Sequence, residues 1–420
     1  MIELGRTTLK IWLIGSNIEL ESQYMSQQLK RLEQELPFQA ELRLMTWNRA
    51  FDTIIDAFKN DSAPDIFSTG TTWVHTLSYL KYLAPVPRSF EMRPFLAPWL
   101  DDVTRVNGTV YAVPFASEAY VLMAKQKILD TVGIHSEDLK DWDSFFASCM
   151  KITEHFKARG IGHIPLAFPL RPEIGTLHRY AVWLYKGGWT FPRLRTGMDR
   201  IFRNEISIKT LSFISNILRA PGANLKALQI DTLSLMEQFR NTDDITFFVG
   251  NGNMYVVNAL NGYHRSDISL YPLPSLIPNA KTFGGGTVFA VASTCRHQEL
   301  AWQVVQRLSQ DDVFMGLSAC TGGISPYDGQ FWSSFENDPY IQVLKSEFRN
   351  STAYDFHPIW HVIEQTAGDY IAHYLWDSIL NRDSKLEEAA DQTLEDLDKK
   401  LIDVLNMMWE MEEDETGRSK

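Results

Sequence analysis

The stretch TLKIWLIGSN, from Thr8 to Asn17, is a short apolar run that ends in Gly-Ser-Asn. A run of this length closed by turn residues predicts a buried strand and the turn after it. Leucines then recur at helical spacing over residues 19–36 and Pro37 marks the stop, which predicts a helix. ELRLM (Glu41–Met45) alternates like a half-buried strand. The chain therefore opens as strand, helix, strand.

The alternation continues through residue 70. Phe51, Ile54, Ile55 and Phe58 form one face of a second helix, and PDIFSTG (64–70) returns to strand and turn. Strands and helices alternating at this spacing predict an α/β fold with a parallel sheet and crossover helices. Such sheets bind ligands beyond the carboxyl ends of their strands, so the three turns mark the first candidate site.

Composition excludes several classes of protein. The net charge of −12 and the absence of a basic run argue against nucleic acid binding. A hydrophobic fraction of 45% and a charged fraction of 22% are typical of a globular chain, and 420 residues suffice for two or three lobes. The three cysteines show no metal or paired spacing. The sequence has no apolar window of about 18 residues, so it predicts no membrane-spanning helix.

The pattern of strands changes along the chain. Parallel-sheet character stops near residue 115 and resumes near 267, while the interval from Asp143 to Leu260 is mainly helical in pattern. We therefore expect one lobe interrupted by another. The end of the chain, from Asp383 to Met411, is an acidic amphipathic helix, and we expect residues 409–420 to be a frayed acidic tail.

Seven segments then occur in an order found in a known family. They are APDIFSTGTTWVHTLSYLKYLAPV (63–86), NGTVYAVPFASEAYVLMAKQKIL (107–129), DWDSFFASCMKI (141–152), YKGGW (185–189) with FRNEISIKTLSFISNIL (202–218), FFVGNGNMYVVNA (247–259), DISLYPLPS (267–275) with FGGGTVFAVAS (283–293), and PYDGQ (326–330) with FHPIWHVIEQ (356–365). Each is weak alone. Together, in order from residue 63 to residue 365, they resemble the extracellular solute-binding proteins of the maltose-binding type, which serve ABC importers.

The resemblance implies a two-lobed, periplasmic-binding-protein-like clamshell with interrupted lobes that close by a hinge. It assigns residues 4–115 plus 267–319 to the first α/β lobe and 119–262 plus 322–408 to a second, more helical lobe. It places hinges near Ala116–Glu118, Tyr263–Ser266 and Cys320–Thr321.

The resemblance also implies candidate ligand contacts. Glu118 is similar to a crossover glutamate that accepts hydrogen bonds from sugar hydroxyls; a salt bridge between lobes or a solvated strand end is the alternative. Trp47 and Trp73 follow predicted strands and could stack on apolar sugar faces, or pack under a loop. Ser16 and Asn17 follow the first strand and could reach ligand hydroxyls, or serve as turn residues.

Four further positions complete the predicted ligand-binding set. Gly285 and Gly286 could let backbone amides approach a ligand, or form a flexible loop. Asn258 stands where the family usually has glycine, and Leu260 stands near its usual tryptophan, so one stacking partner is missing. Trp360, or alternatively Trp183 or Trp189, could compensate from the second lobe.

The sequence gives little evidence for a metal site or for a catalytic site. His357, His361 and Glu364 have a spacing that can hold zinc, but Pro358 implies that the helix only begins there, and we predict no metal and no cofactor. No nucleophile–base arrangement occurs, so we predict a protein that is not an enzyme.

The sequence therefore predicts a monomeric receptor that captures a sugar or oligosaccharide and delivers it to an ABC permease, without nucleic acid. A clamshell sensor feeding a signalling partner, or a carbohydrate-active enzyme using Glu118, are the alternatives. The start, MIELGRTTLKIWLIG, shows no export signal. We expect a periplasmic or cell-surface location if a signal was removed, and a cytoplasmic one if the sequence is complete.

Overall fold

The structure is a computed structural model that describes residues 6–195, 197–220, 231–262, 267–355 and 357–417, with side chains described through residue 410. The strands of the described part are β1 (Thr7–Gly15), β2 (Phe38–Thr46), β3 (Ile66–Gly70), β4 (Arg105–Val106), β5 (Thr109–Val110), β6 (Val113–Ala119), β7 (Val121–Lys125), β8 (Ile164–Ala167), β9 (Ile245–Gly250), β10 (Ile268–Tyr271), β11 (Thr282–Val291) and β12 (Ser351–Thr352). Two short 3₁₀ turns lie at Thr71–Trp73 and Ser136–Leu139.

The helices of the same residues are α1 (Ile18–Glu35), α2 (Trp47–Lys59), α3 (Val74–Tyr79), α4 (Trp99–Thr104), α5 (Gln126–Val132), α6 (Trp142–Lys157), α7 (Ile174–Lys186), α8 (Glu205–Leu218), α9 (Thr232–Asn241), α10 (Asn253–Leu260), α11 (Gln298–Leu308), α12 (Asp311–Thr321), α13 (Gln330–Ser333), α14 (Pro339–Arg349), α15 (Trp360–Leu380) and α16 (Leu386–Gly417). Across the described ranges, none of these helices has both the length and the apolar character needed to cross a bilayer.

The chain forms two compact units, each drawn from three separate ranges. Unit 1 takes Met1–Ala119, Gly252–Arg265 and Gly284–Pro358. Unit 2 takes Tyr120–Asn251, Ser266–Phe283 and Ile359–Lys420. The interrupted organisation follows the sequence expectation, but the boundaries differ from it.

Three ranges belong to the other unit than the one predicted for them. Residues 322–358 and 252–262 belong to unit 1, whereas 267–283 belong to unit 2. The predicted hinge at Cys320–Thr321 is the last turn of α12, inside unit 1, and the chain instead crosses between Pro358 and Ile359. The predicted hinge at Tyr263–Ser266 lies outside the described residues.

Unit 1 is built on one mixed sheet in the order β12-β11-β3-β1-β2, with β6 also paired to β11. The predicted parallel strands are confirmed, since β1 pairs parallel with both β2 and β3. β11 runs antiparallel to β3 and to β6, so β6 points the same way as the first three strands. The carboxyl ends of β1, β2, β3 and β6 therefore share one edge with the beginning of β11. We call it the carboxyl edge.

Alternation along β1 places its apolar side chains in the core of unit 1. Leu9, Ile11 and Leu13 are at most 5% exposed, and Leu29 and Leu32 of α1 are also buried. Each fully buried side chain of this size contributes about 1.5–3 kcal/mol. This burial favours the register of β1, because a one-residue slip would turn Leu9, Ile11 and Leu13 to the other face.

Unit 2 holds a second sheet in the order β10-β7-β9-β8. Its strands β8 and β9 were not predicted, because they are short apolar runs within a region of helical pattern. The predicted frayed tail also differs from the structure. The backbone of α16 stays helical to Gly417, and residues 418–420 lie outside the described residues.

Candidate ligand-binding site

The carboxyl edge of unit 1 collects most of the predicted ligand residues. Ser16 and Asn17 follow β1, Trp47 follows β2, Trp73 lies in the turn after β3, and Glu118 is the penultimate residue of β6. They come from four separate strand ends, as expected for parallel strands joined by crossovers.

The register of β11 joins two further candidates to this edge. Thr287 pairs with Gly70 of β3 on one side and with Ala116 of β6 on the other. Gly285 consequently lies opposite Glu118, and Gly286 lies one residue from that pair. The two glycines extend past the end of β3.

The two tryptophans form an edge-to-face pair. Their ring centroids are 5.6 Å apart at an interplanar angle of 63°. Gly70 lies against both rings, since a Cβ there would make an ordinary van der Waals contact of 3.4 Å with each indole. Trp73 is only 3% exposed and is backed by Phe51 at 5.2 Å, whereas Trp47 is 39% exposed. Trp73 therefore supports the pair by packing, and Trp47 has ring surface free for a ligand.

The turn after β1 is held by a residue that the sequence analysis did not select. Asn17 caps α1, accepting a hydrogen bond from the N–H of Leu20 at 3.3 Å, and both Ser16 and Asn17 are exposed. The carboxylate of Glu21 accepts from the N–H groups of Ser16 at 2.8 Å and Asn17 at 2.7 Å. A standard capping box would place a Glu at the position of Leu20, one residue earlier, so the motif was missed.

Glu118 is half-buried and lies across from a glycine. Gly286 has φ +148°, and a Cβ there would lie 2.3 Å from the carbonyl oxygen of Ala116. Gly284 is equally confined, since its Cβ would lie 2.8 Å from the ring of Trp99. The alternative of a flexible loop is wrong here, because all three glycines belong to β11. Close packing between strands requires at least two of them.

Asn258 and Trp360 belong to helices and not to the strand ends of the carboxyl edge. Asn258 lies on α10 of unit 1, half-buried, and within the described residues no hydrogen bond joins it to the carboxyl edge. Trp360 belongs to unit 2, is 1% exposed, and meets Phe191 edge-on at 5.4 Å. These contacts make Trp360 a core residue of its unit, which corrects the expectation that its ring is free to stack.

Two of the three residues considered as zinc ligands lie on α15. Glu364 is fully buried, and its Oε1 atom lies 3.3 Å from Nε2 of His178. His361 is 8% exposed on the same helix. In the part of the chain that the structure describes, no three His, Cys, Asp or Glu side chains come together as a metal-binding group.

Comparisons with known proteins agree with this architecture. The chain is similar to a solute-binding protein from Thermotoga lettingae bound with alpha-D-tagatose, with TM-score 0.77 and 19% identity over 94% of this chain and 99% of that one. It is also similar to maltose-bound MalE3 of T. maritima, with TM-score 0.77 and 17% identity over 94% and 100%. MalE of Xanthomonas citri gives TM-score 0.70 and 19% identity over 96% and 99%.

These structures show the fold: the α/β fold of two-lobed sugar-binding proteins. A search of curated proteins found no match. A family model described as bacterial extracellular solute-binding protein matches residues 28–330, which is more than half of the chain. The chain therefore belongs to the bacterial extracellular solute-binding proteins.

Proposed function

We propose that the protein captures a sugar or oligosaccharide at the carboxyl edge of unit 1 and passes it to an ABC importer. The observation that carries the proposal is the placement of the Trp47–Trp73 pair and Glu118 at strand ends of the same carboxyl edge. Similar structures are bound with alpha-D-tagatose, maltose and D-mannitol, which supports a polyhydroxylated ligand class.

The two kinds of residue supply complementary contacts. An indole face removes the apolar C–H surface of a sugar ring from water, and an aromatic contact adds about 0.5–1.5 kcal/mol beyond its area burial. A carboxylate accepts hydrogen bonds from hydroxyl groups, and hydrogen bonds to charged groups contribute about 1.5–3 kcal/mol. Trp47 has the exposed ring for the first contact, and Glu118 has the carboxylate for the second.

The proposal includes binding without turnover. Membership of an extracellular solute-binding family supports a receptor in the periplasm or at the cell surface, with permease subunits as its partners. We also propose that it acts as a monomer and without nucleic acid, in keeping with its net charge of −12.

The test is calorimetric titration of the full chain with maltose, maltotriose, D-tagatose and D-mannitol. We expect at least one to bind. Trp47→Ala should weaken that binding by more than about twofold, because the variant loses the buried apolar area as well as the roughly 0.5–1.5 kcal/mol that the aromatic contact adds to it. Glu118→Gln should weaken it about tenfold or more, because a charge-assisted hydrogen bond becomes a neutral one.

Trp12→Ala is the matched control. Trp12 lies three residues before the end of β1, under the guanidinium of Arg43 at 4.6 Å, and its replacement should leave affinity unchanged. If wild type binds none of the four compounds, the sugar proposal is wrong. If a bound oligosaccharide is recovered in cleaved form, the protein is a carbohydrate-active enzyme and the receptor proposal is wrong.

A further inference from the structure

Glu21 is a buried carboxylate at the carboxyl edge of unit 1. It is 5% exposed, and among the described residues it makes no ion pair. Its Oε1 atom accepts both N–H groups of the turn after β1, from Ser16 and from Asn17. Burial raises the pKa of Glu21, and the hydrogen bonds from Asn17 and Ser16 lower it. The turn amides are therefore the compensation that this carboxylate receives for leaving water.

The strand that precedes the turn is shaped to this carboxylate. A Cβ at Gly15 would lie 2.6 Å from Oε2 of Glu21 and 2.9 Å from its carboxyl carbon. Any side chain at position 15 would displace the carboxylate, although the backbone there is ordinary β conformation. The lack of a side chain at Gly15 thus leaves room for the carboxylate that binds the two amides.

We propose that Glu21 is a positioning residue, which holds the Ser16–Asn17 turn in the conformation that presents its side chains at the ligand site. Glu21 itself touches no ligand in this proposal. It acts through the turn, whose two residues are exposed while their N–H groups are tied down. The inference rests on the proposed function for its effect on affinity, but its effect on the turn is independent of any ligand.

Two substitutions separate the acceptor from the charge. Glu21→Gln keeps an oxygen for both amides, because both bonds end on a single atom, Oε1. Glu21→Met has similar length and no acceptor oxygen. We expect Met to weaken binding of the sugar that wild type binds by about fivefold or more, and Gln to stay within about twofold of wild type.

Glu33→Met is the matched control on the same helix. Glu33 also accepts one backbone N–H, from Ala40 at 2.7 Å, but Ala40 lies near the amino end of β2, away from the carboxyl edge. If the carboxylates were merely structural, Glu21→Met and Glu33→Met would lower the unfolding free energy similarly and leave affinity unchanged. A positioning role predicts that only Glu21→Met changes affinity.

Gly15→Ala supplies an independent route to the same defect. In the wild-type background the new methyl group should displace the Glu21 carboxylate and weaken binding as Glu21→Met does. In a Glu21→Ala background the space is free, so adding Gly15→Ala should change affinity by less than about twofold. Additive losses in this double-mutant cycle would overturn the proposal.

Amide hydrogen exchange of the free protein reads the turn directly. Exchange at Ser16 and Asn17 should accelerate about tenfold or more in Glu21→Met and stay near wild type in Glu21→Gln. If wild type binds no tested sugar, the proposed function fails while exchange still measures the turn. If wild type binds and Glu21→Met binds equally well, the positioning role fails and the proposed function stands.

Discussion

His163 is a single side chain to which burial, more than any neighbouring charge, gives a pH response. Its ring stacks on Phe156 with centroids 3.8 Å apart, and its Nε2 lies 2.7 Å from the hydroxyl of Thr246. Loss of water lowers the pKa of His163 to about 4. The neutral ring is therefore favoured in the folded state, and the stability it confers is present above about pH 6.5 and lost as pH falls toward 4.

We expect His163→Gln to remove part of this acid sensitivity. Between pH 7.5 and 5, wild type should lose about 1–2 kcal/mol more unfolding free energy than the variant does. Urea unfolding at both pH values measures the difference. His297→Gln, an exposed histidine of unit 1, should parallel wild type. Equal pH slopes for wild type and His163→Gln would contradict the assignment.

At this scale the sequence identified positions better than it identified roles. The tryptophans could be placed just past strand ends from local patterns, whereas Glu118 was selected through the family resemblance. That Trp73 supports and Trp47 presents a ring depends on burial, which follows from contacts distant in sequence. The role of Glu21 could not be predicted for the same reason, because the sequence of the first turn of a helix does not show that a carboxylate there is buried.

Gly322 illustrates a constraint at the end of an element. It closes α12 at φ +75°, and a Cβ would lie 2.2 Å from the carbonyl oxygen of Asn253, at the start of α10. Two costs combine there: the left-handed backbone and a clash with main chain that cannot swing aside. Gly108 has a similar φ of +81° with nothing within 4 Å.

The pair separates the two costs. Gly108→Ala should lower the unfolding free energy by about 1–2 kcal/mol, the left-handed penalty alone. Gly322→Ala should cost about 1–3 kcal/mol more, because neighbouring backbone has to shift. Both residues belong to unit 1, so urea unfolding compares them within one body. Equal losses would show that α10 yields to the added methyl without cost.

Elements were predictable where the apolar pattern was long or regularly repeated. The first three strands and their helices follow the sequence closely. β8 and β9 have four and six residues, too few for alternation to be distinguished from a helical face. The antiparallel course of β11 was also not predicted, since direction is set by partners more than 150 residues away.

At the scale of the whole molecule, distant segments are joined by single polar groups. Asp398 on α16 is 2% exposed and accepts the N–H groups of Ile201, Phe202 and Arg203 at 3.0, 2.7 and 2.9 Å. Burial raises the pKa of Asp398, and these hydrogen bonds lower it. One carboxylate thereby ties the last helix to a segment nearly 200 residues earlier, within unit 2.

Asp398→Ala should be strongly destabilising. Three backbone amides, two of them buried, would lose their acceptor, and we expect a loss of about 3 kcal/mol or more in the unfolding free energy of unit 2. Asp403→Ala, an exposed position on the same helix, should stay within about 0.5 kcal/mol of wild type. Chemical denaturation monitored by tryptophan fluorescence distinguishes the two. A loss below about 1 kcal/mol at Asp398 would mean that water replaces the carboxylate.

The interrupted organisation was predictable, but the borders of the units were not. α14 and β12 have ordinary local patterns that say nothing about which body they join. Their place in unit 1 is set by the sheet, where β12 adds to β11. Unit membership is thus a property of pairing at long range, and weak family motifs located it only approximately.

The place of β11 has a consequence for synthesis on the ribosome. β3 ends at Gly70, and its neighbour β11 begins at Thr282, about 210 residues later. At roughly 5–20 residues per second, the nascent chain carries an open strand edge for on the order of 10–40 seconds. Unpaired edges invite pairing with other chains. We therefore expect the nascent chain to depend on chaperones until β11 has been synthesised.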